Sequence, residues 1–396
     1  MKRMLLGVYF VILSCSPALG SEWEDIVAAA EGQTVYFNAW GGSQPVNAYI
    51  EWAAGEVQEK YKIRLVHVKV TDIGDVVSRI LIEKSAGKEA GGSVDLMWLN
   101  GENFKTMKEN NLLYGPFSRK LPHYALADVK AKQNLLYDFT VPVDNLESPW
   151  GTAQLVFLYD SRKMPEHPKS MTDLLTFLEK HPGKFTYPAI PEFHGTTFIK
   201  QALMELMEDP DVLNHPVNPA DFDAHTRPLW KFLDRLHPLL WRKGGVFPAG
   251  ASQMFSLLND GEIYISLSFN PNAAAHAVES GELPPAVRTY VHASGTIGNA
   301  HLWPSPFNSS AREGAMVVAD FLLSPQAQAR KADPKVWGDP TVLDVQRLSP
   351  EDRALFDALP RPPATLGPEE LGRVLPEPHA SWVQALEKAW LNTYNQ

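Results

Sequence analysis

Cysteine is almost absent from this sequence: of 396 residues only Cys15 carries a thiol, and it lies in the N-terminal segment. One cysteine forms no intrachain disulfide, which excludes a small scaffold held together by disulfide bonds. It also leaves the rest of the chain without a thiol nucleophile. We therefore expect stability to come from hydrophobic cores, and the length predicts about two domains.

An excess of basic residues is absent too. The chain has 36 Lys and Arg against 46 Asp and Glu, a formal net charge of −10. This charge argues against nucleic acid or an anionic membrane as a partner. The common motifs of serine hydrolases, zinc proteases and nucleotide-binding loops are missing, and the twelve histidines show no ligand spacing. We expect no metal, no cofactor and no enzymatic activity, with a catalytic group assembled from distant residues as the alternative.

The N-terminal segment, MKRMLLGVYFVILSCSPALGSEW, has the pattern of a secretory signal. A basic start precedes an apolar run over 4–13, and small residues lead to Gly20. Cleavage after Gly20 would leave a mature protein in the periplasm. A lipoprotein cleavage site before Cys15 is the alternative, but Leu13 occupies a position where a small residue is usual. We predict a signal peptide over 1–20.

The first half of the mature chain predicts alternating strands and helices. Apolar runs at 34–40, 63–70 and 94–100 are typical of buried strands, and apolar residues at helical spacing separate them. Asp72 is a predicted helix cap. This alternation favours a parallel sheet with right-handed crossovers. Ligands of such sheets bind at the carboxyl ends of the strands.

An extended segment at 139–164 follows, and no helix separates its two halves. Such a passage is a candidate hinge between two sheets. A second α/β pattern then begins, with Ser170 as a helix cap, a strand at 184–190 and a loop feeding a helix over 191–207. The segment 262–270 alternates apolar and polar residues as a strand does.

Another break is predicted inside VVADFLLSPQAQARK, residues 317–331. Ser324 is a good N-cap, and Pro325 suits the first helical position because its missing N–H is not needed there. Proline also disfavours helical geometry in the residue before it. One helix should end at this serine and another should begin.

Three of these segments resemble type 2 periplasmic solute-binding proteins of ABC importers. FLLSPQAQA (321–329) is similar to a phrase that recurs at a helix end in the family. PWGTAQLVFLYDSRKM (149–164) resembles its first crossing between lobes, followed by a Tyr-Asp turn at Tyr159-Asp160. GEIYISLSFNPN (261–272) resembles the return crossing. Within the family, the chain is most similar to the orphan YnjB-type binding proteins, whose substrate is unassigned.

The resemblance implies an α/β fold of two lobes, with mixed sheets flanked by helices and joined by a short hinge. We expect lobe 1 to comprise 21–148 and 271–324, and lobe 2 to comprise 149–270 and 325–396. The helix starting at Ser324 would travel toward the other lobe. A monomer would close on a small molecule in the cleft, and the closed form would be recognised by permease and ATPase subunits.

Candidate ligand-binding residues lie at strand ends, at the hinge and before a helix N-terminus. Backbone N–H groups at glycines, indole faces, amides, hydroxyls and carboxylates are the groups that hold small polar ligands. Turn formation, hinge packing and helix capping are the structural alternatives for the same residues. The candidates are Asn38, Trp40, Gly41, Gly42, Asn100, Glu102, Trp150, Thr152, Glu192, His194, Thr196, Asn270 and Trp303.

The carboxylates Glu102 and Glu192, with aromatic residues nearby, favour a cationic or zwitterionic ligand such as a thiamine-like compound or a polyamine. A sugar is the alternative, since aromatic faces also stack on sugars. An exported hydrolase that uses His194 or Glu192 on the same scaffold is the hypothesis from another class. The tandem tyrosines of ferric-ion binders are not evident, because only Tyr264 lies near the predicted return crossing.

Overall fold

The computed structural model describes residues 19–99 and 101–394. Nearly all of the predicted signal segment, including Cys15, lies outside the described residues, and so does the candidate site residue Asn100. Within the described ranges, the helices are all too short or too polar to cross a bilayer.

Helices and strands alternate through most of the described chain. The helices α1–α14 span Leu19–Ala30, Gln44–Tyr61, Gly74–Ser85, Glu102–Glu109, Met171–Lys180, Phe193–Leu206, Phe222–Leu236, Ala251–Asn259, Ala273–Glu279, Arg312–Leu323, Pro325–Ala332, Pro350–Asp357, Pro368–Leu371 and Ala380–Tyr394. The strands β1–β11 span Thr34–Trp40, Arg64–Val70, Leu96–Met97, Tyr137–Asp138, Val141–Pro142, Glu147–Gln154, Val156–Asp160, Ile265–Ser268, Val287–Tyr290, Thr296–Pro304 and Val374–Leu375.

The first three strands form the predicted parallel sheet, in the order β2-β1-β3. Strand β1 has the predicted bounds, and α3 begins after Asp72, whose Oδ1 accepts a hydrogen bond from Gly74 N at 2.8 Å. Strand β3 covers only two of the seven residues predicted for it. The carboxyl ends of β1 and β3 lie next to each other, because Asn38 is in register with Met97.

The predicted hinge lies where β6 continues into β7 after the single residue Leu155. Strand β6 pairs antiparallel with β10, whereas β7 pairs antiparallel with β8 and β9. The chain therefore leaves one sheet and enters another without a helix, as predicted.

The return crossing differs from the prediction at 261–272. Strand β8, inside that segment, pairs with β7, and the chain returns only along β10, Thr296–Pro304. The alternation of 262–270 correctly predicted a strand, but an alternating pattern does not identify the strand that pairs with it.

Hydrophobic clusters divide the fold into two lobes, and the chain passes between them along β6, along β10 and again between residues 356 and 364. We use lobe 1 for the part whose buried residues lie within 30–150 and 300–356, in three clusters. Lobe 2 is the part built on one large cluster, with buried residues within 153–297 and 364–390. This packing favours a division different from the predicted one: 271–297 packs with lobe 2, and the segment from Ser324 to Phe356 packs with lobe 1.

The break at Ser324 has the predicted local structure. Helix α10 ends at Leu323, Pro325 is the first residue of α11, and Ser324 Oγ accepts a hydrogen bond from Ala327 N at 3.3 Å. The direction of α11 differs from the prediction. The helix was expected to run toward lobe 2, but Ala327 and Ala329 are buried in lobe-1 clusters. The change of direction lets α11 pack beside α10 instead of crossing to lobe 2.

The predicted strand at 184–190 is wrong. Only Phe185 forms a β-bridge, to Ile265, and the following residues are irregular. Pro188 cannot donate a hydrogen bond to a neighbouring strand. The segment contributes buried side chains, Phe185 and Tyr187 among them, without joining the sheet.

Candidate functional site

The lobe-2 side of the interlobe contact is built on the N-terminus of α6. Glu192 is the N-cap: its Oε2 accepts hydrogen bonds from His194 N at 2.7 Å and Gly195 N at 3.2 Å. Its Oε1 lies 2.8 Å from His194 Nδ1. The capping alternative therefore applies to Glu192, which precedes the helix and satisfies these donors, and not to Thr196 or Thr197.

Thr196 connects α6 to the C-terminal helix α14. Its hydroxyl donates a hydrogen bond to Glu387 Oε1 at 2.7 Å, and the threonine is buried. The hydroxyl of the next residue, Thr197, is also buried and has no partner among the described residues. A carboxylate held by a hydroxyl keeps its remaining oxygen available to a second donor.

One turn further along α6, Lys200 forms a buried ion pair with Glu377. The two atoms Lys200 Nζ and Glu377 Oε2 are 2.6 Å apart, and the side chains are 2% and 1% exposed. Glu377 is also held by Asn299 of β10, whose Nδ2 donates to Oε1 at 3.2 Å. Burying an ion pair costs desolvation free energy for both charged groups. Stability alone therefore does not explain why this pair is buried.

Lobe 1 contributes the start of α4 and the turn between β4 and β5. Gly101 N donates a hydrogen bond to Asp138 Oδ1 at 2.8 Å, while Asp138 Oδ2 is buried and has no partner within the described ranges. The next residue, Phe139, is buried against Ala380 and Val383 of lobe 2. Its φ of 51° is unusual for a bulky residue, and such strain is found at ligand clamps.

The electrostatics of this contact are dominated by carboxyl groups. Burial raises the pKa of Glu102, although the charge of Lys200 lowers it in part. Burial raises the pKa of Glu387 as well, against its hydrogen bond from Thr196. Burial raises the pKa of Asp138 well above its ordinary value, and Glu102 and Glu377 raise it further. We define the interlobe acidic site as Glu102, Asp138, Glu377 and Glu387, with Lys200 as its cation.

The candidates Trp150 and Trp303 lie elsewhere, inside lobe 1. Each is 1% exposed, and their ring centroids are 4.2 Å apart. Trp303 also stacks on Phe37 at 4.6 Å. They belong to what we call the lobe-1 aromatic cluster, whose members are Tyr49, Trp98, Trp150, Trp303, Trp337 and His301. The burial of Trp150 matches its hinge-packing alternative, and Trp303 is likewise packed inside the lobe.

The candidates at the end of β1 differ in exposure. Asn38 is fully buried, and its side-chain oxygen and nitrogen have no partners among the described residues, whereas Trp40 is 44% exposed. A Cβ at Gly42 would press against the Trp40 ring, and one at Gly41 would press against Lys69. The turn therefore needs both glycines for close packing.

Two further candidates lie near the crossing strands. Thr152 is half-buried in β6, opposite Ala300. Asn270 Nδ2 donates to the carbonyl oxygen of Trp337 at 3.3 Å, and its Oδ1 accepts from Asn272 N. This amide therefore bonds a lobe-2 residue to the lobe-1 segment around Trp337.

The structure brings Glu102, Thr196 and the Glu192–His194 N-terminus to one interlobe region, but its central residues were not predicted. Lys200 had a visible signal, since it interrupts the buried face of α6 between Ile199 and Ala202. Glu377 and Phe139 had none, because they belong to a Pro-rich tail and to a turn.

Comparisons with known proteins agree with this architecture. A model of the family described as bacterial extracellular solute-binding protein matches residues 52–354. The Escherichia coli K12 protein YnjB is 45% identical over 374 residues, which are 94% of this chain and 94% of that protein.

Solved structures show the same fold at low identity. The Tp0655 (TpPotD) lipoprotein of Treponema pallidum has a TM-score of 0.66 at 13% identity, covering 91% of this chain and 99% of that one. A putative spermidine/putrescine ABC transporter protein from Listeria monocytogenes has a TM-score of 0.64 at 14% identity, covering 92% and 99%. The periplasmic binding protein AfuA from Actinobacillus pleuropneumoniae, with exogenous fructose-6-phosphate bound, has 0.62 at 15%, covering 92% and 99%.

Proposed function

The chain belongs to the family of bacterial extracellular solute-binding proteins, and on that premise we propose that it captures a small cationic or zwitterionic solute between its two lobes. Solute-binding proteins of this family bind small molecules for ABC importers and interact with their permease and ATPase subunits. We further propose that the protein acts as a monomer in the periplasm after removal of its signal segment.

The observation that carries the proposal is the composition of the interlobe acidic site. Three carboxyl groups, those of Glu377, Glu102 and Glu387, come from both lobes and interact with one ammonium group, that of Lys200, while Asp138 lies beside Glu102 and Glu377. A ligand that touches both lobes shifts the open–closed equilibrium, because it binds the closed state more tightly. A cation placed among these carboxylates does so, and a polyamine or a thiamine-like compound has the required charge. The structural neighbour from Listeria monocytogenes is described as a putative spermidine/putrescine ABC transporter, which is consistent with this class.

The hydrolase hypothesis is not favoured by the geometry at α6. Glu192 already accepts hydrogen bonds from His194 N and Gly195 N, and its other oxygen lies beside the His194 ring. This pair therefore serves the start of the helix.

A ligand panel tests the proposal. We expect putrescine, spermidine or thiamine to raise the melting temperature, because a ligand that binds only the folded state stabilises it. Glu102→Gln and Glu387→Gln should each weaken binding of that compound by roughly tenfold or more, since a hydrogen bond to a charged group is worth about 1.5–3 kcal/mol. Isothermal titration calorimetry measures the affinities.

Glu59→Gln is the matched control, because Glu59 is exposed on α2 and away from the interlobe contact. The affinity should be unchanged in this variant. Stabilisation by a sugar or sugar phosphate, with no response to the three cations, would contradict the cationic class and favour the sugar-binding alternative.

The affinity for a cation should also depend on pH. The folded protein binds a proton at Glu102 and at Glu387 more tightly than the unfolded chain does, because burial raises their pKa values. A bound cation favours the ionised carboxylates, so affinity should fall as the pH is lowered from about 7.5 to about 4.5, the ordinary pKa of a glutamate, because the raised pKa values lie above it. Titration at both pH values, in two buffers of different ionisation enthalpy, should show protons released on binding. Equal affinity at both pH values with no proton release would show that these groups do not face the ligand.

A further inference from the structure

Lys200 lies in surroundings that suit a bound organic cation. Its Nζ is 2.6 Å from Glu377 Oε2, 5.2 Å from the ring centroid of Phe139 and 5.7 Å from that of Phe193. A carboxylate and aromatic faces around one nitrogen is the arrangement by which proteins bind ammonium ligands. We call Glu377, Phe139 and Phe193 the ammonium box.

The walls of the box come from both lobes. Phe139 belongs to the β4–β5 turn of lobe 1, whereas Phe193 and Lys200 belong to α6 of lobe 2. The strained φ of Phe139 and its contacts with Ala380 and Val383 fix its ring against lobe 2. An ammonium in the box therefore contacts both halves of the clamp, as a ligand does.

We propose that the Lys200 side chain is a tethered placeholder that fills the ammonium subsite when no ligand is bound, and that the ammonium of a cationic ligand displaces it. This inference rests on the proposed function for the identity of the cleft. Being tethered, Lys200 competes at a high effective concentration, in the millimolar range or above. Simple monocations are therefore excluded, and only a ligand with further contacts to both lobes replaces the lysine.

The neighbouring carboxylates give the displaced lysine a destination. Glu102 and Glu387 are each close enough for the charge of Lys200 to act on them. The exchange thus moves one ammonium to a nearby carboxylate while another takes its place at Glu377. The net charge of the site therefore changes only by the charge of the ligand that enters.

The test replaces the tether with a free amine. Lys200→Ala removes three carbons and the nitrogen, and n-propylammonium has the same four atoms. We expect n-propylammonium at about ten times its Kd to raise the melting temperature of this variant by about 2–4 °C and to leave the parent unchanged. 1-Propanol, of equal length but uncharged, should not reproduce the shift, and Lys200→Ala/Glu377→Gln should not respond.

Two results would overturn the placeholder: a folded Lys200→Ala variant without a response to the amine, or one that responds equally to 1-propanol. Where Lys200→Ala does not fold alone, refolding with n-propylammonium, 1-propanol or sodium chloride replaces the melting experiment. Recovery with the amine alone supports the inference, and recovery with none of them contradicts it.

The results that would contradict the proposed function differ from those that would contradict the placeholder. If n-propylammonium raises the melting temperature of Lys200→Ala but putrescine, spermidine and thiamine do not change that of the parent, the ammonium box is supported and the proposed ligand class is wrong. If a panel compound binds the parent while the amine response is missing, the proposed ligand class stands and the placeholder is refuted.

Discussion

Asp339→Ala should lower the free energy of unfolding by about 3–5 kcal/mol, the typical cost of removing one partner from a buried ion pair. Asp339 is 1% exposed and pairs with Lys331, which is fully buried. Lys331 Nζ also donates to the carbonyl oxygens of Pro340 at 2.9 Å and Asp339 at 3.2 Å. Burial raises the pKa of Asp339, but the charges of Lys331 and His301 outweigh it, so the pKa lies below its ordinary value.

The loss is large because the variant leaves the Lys331 ammonium buried among aromatic rings. Its Nζ lies 5.6 Å from the Trp337 ring and 6.0 Å from the Trp150 ring, in the lobe-1 aromatic cluster. Neither ring replaces a carboxylate as a partner for a charge out of contact with water. Denaturant titration, monitored by tryptophan fluorescence, measures the change in the free energy of unfolding.

The matched control is Glu179→Ala. Glu179 pairs with Arg235 at 3.0 Å, but the two side chains are 49% and 67% exposed. Solvent screens such a pair, so the loss should be about 1 kcal/mol or less. Lys331→Met/Asp339→Leu should cost less than Asp339→Ala, because no charge is left unpaired. A loss in Asp339→Ala as small as in the control would refute a stabilising role for the buried pair.

Local structure could largely be predicted from the sequence. The bounds of β1, the cap at Ser170 and the break at Ser324 depend on residues within one or two turns of each position. A cap needs only a side-chain oxygen and a free N–H a few residues away. The residues that determine these features therefore lie next to them in the sequence.

Pairing and lobe membership could not be predicted in the same way. The segment 184–190 has strand-like residues but only one bridge, and the alternating segment 262–270 pairs within lobe 2 instead of returning to lobe 1. Both outcomes depend on partners distant in the chain. The candidate site shows the same limit: Glu102, Glu192, His194 and Thr196 stand beside strand ends or helix starts, whereas Lys200 and Glu377 meet across 177 residues.

Gly151→Ala should lower the free energy of unfolding by about 3 kcal/mol, at the upper end of the cost of overpacking a buried site. Gly151 lies in the crossing strand β6, opposite His301 of β10. A Cβ there would overlap the Asp339 carboxylate and lie 2.7 Å from His301 Nδ1 and 3.1 Å from Lys331 Nζ. The backbone or the buried ion pair must therefore move. Denaturant titration measures the loss.

Gly55→Ala is the matched control for the same methyl group. Gly55 lies within α2, and a Cβ there meets no atom within 4 Å. Alanine favours a helix over glycine by about 1 kcal/mol or less, so this variant should be slightly more stable than the parent. An unchanged unfolding midpoint in Gly151→Ala would show that β6 accommodates a side chain at the crossing.

The steric origin of the Gly151→Ala loss can be tested in combination with Asp339→Ala. The second substitution removes the carboxylate that the new methyl group would overlap. The two residues are in contact, so their effects should not be additive, and the double variant should lose less than the sum of the single losses. Additive losses would mean that Gly151 acts through the backbone of β6 alone. A smaller combined loss would mean that the crossing strand and the ion pair form one packed unit, in which the glycine leaves room for Asp339 to reach Lys331.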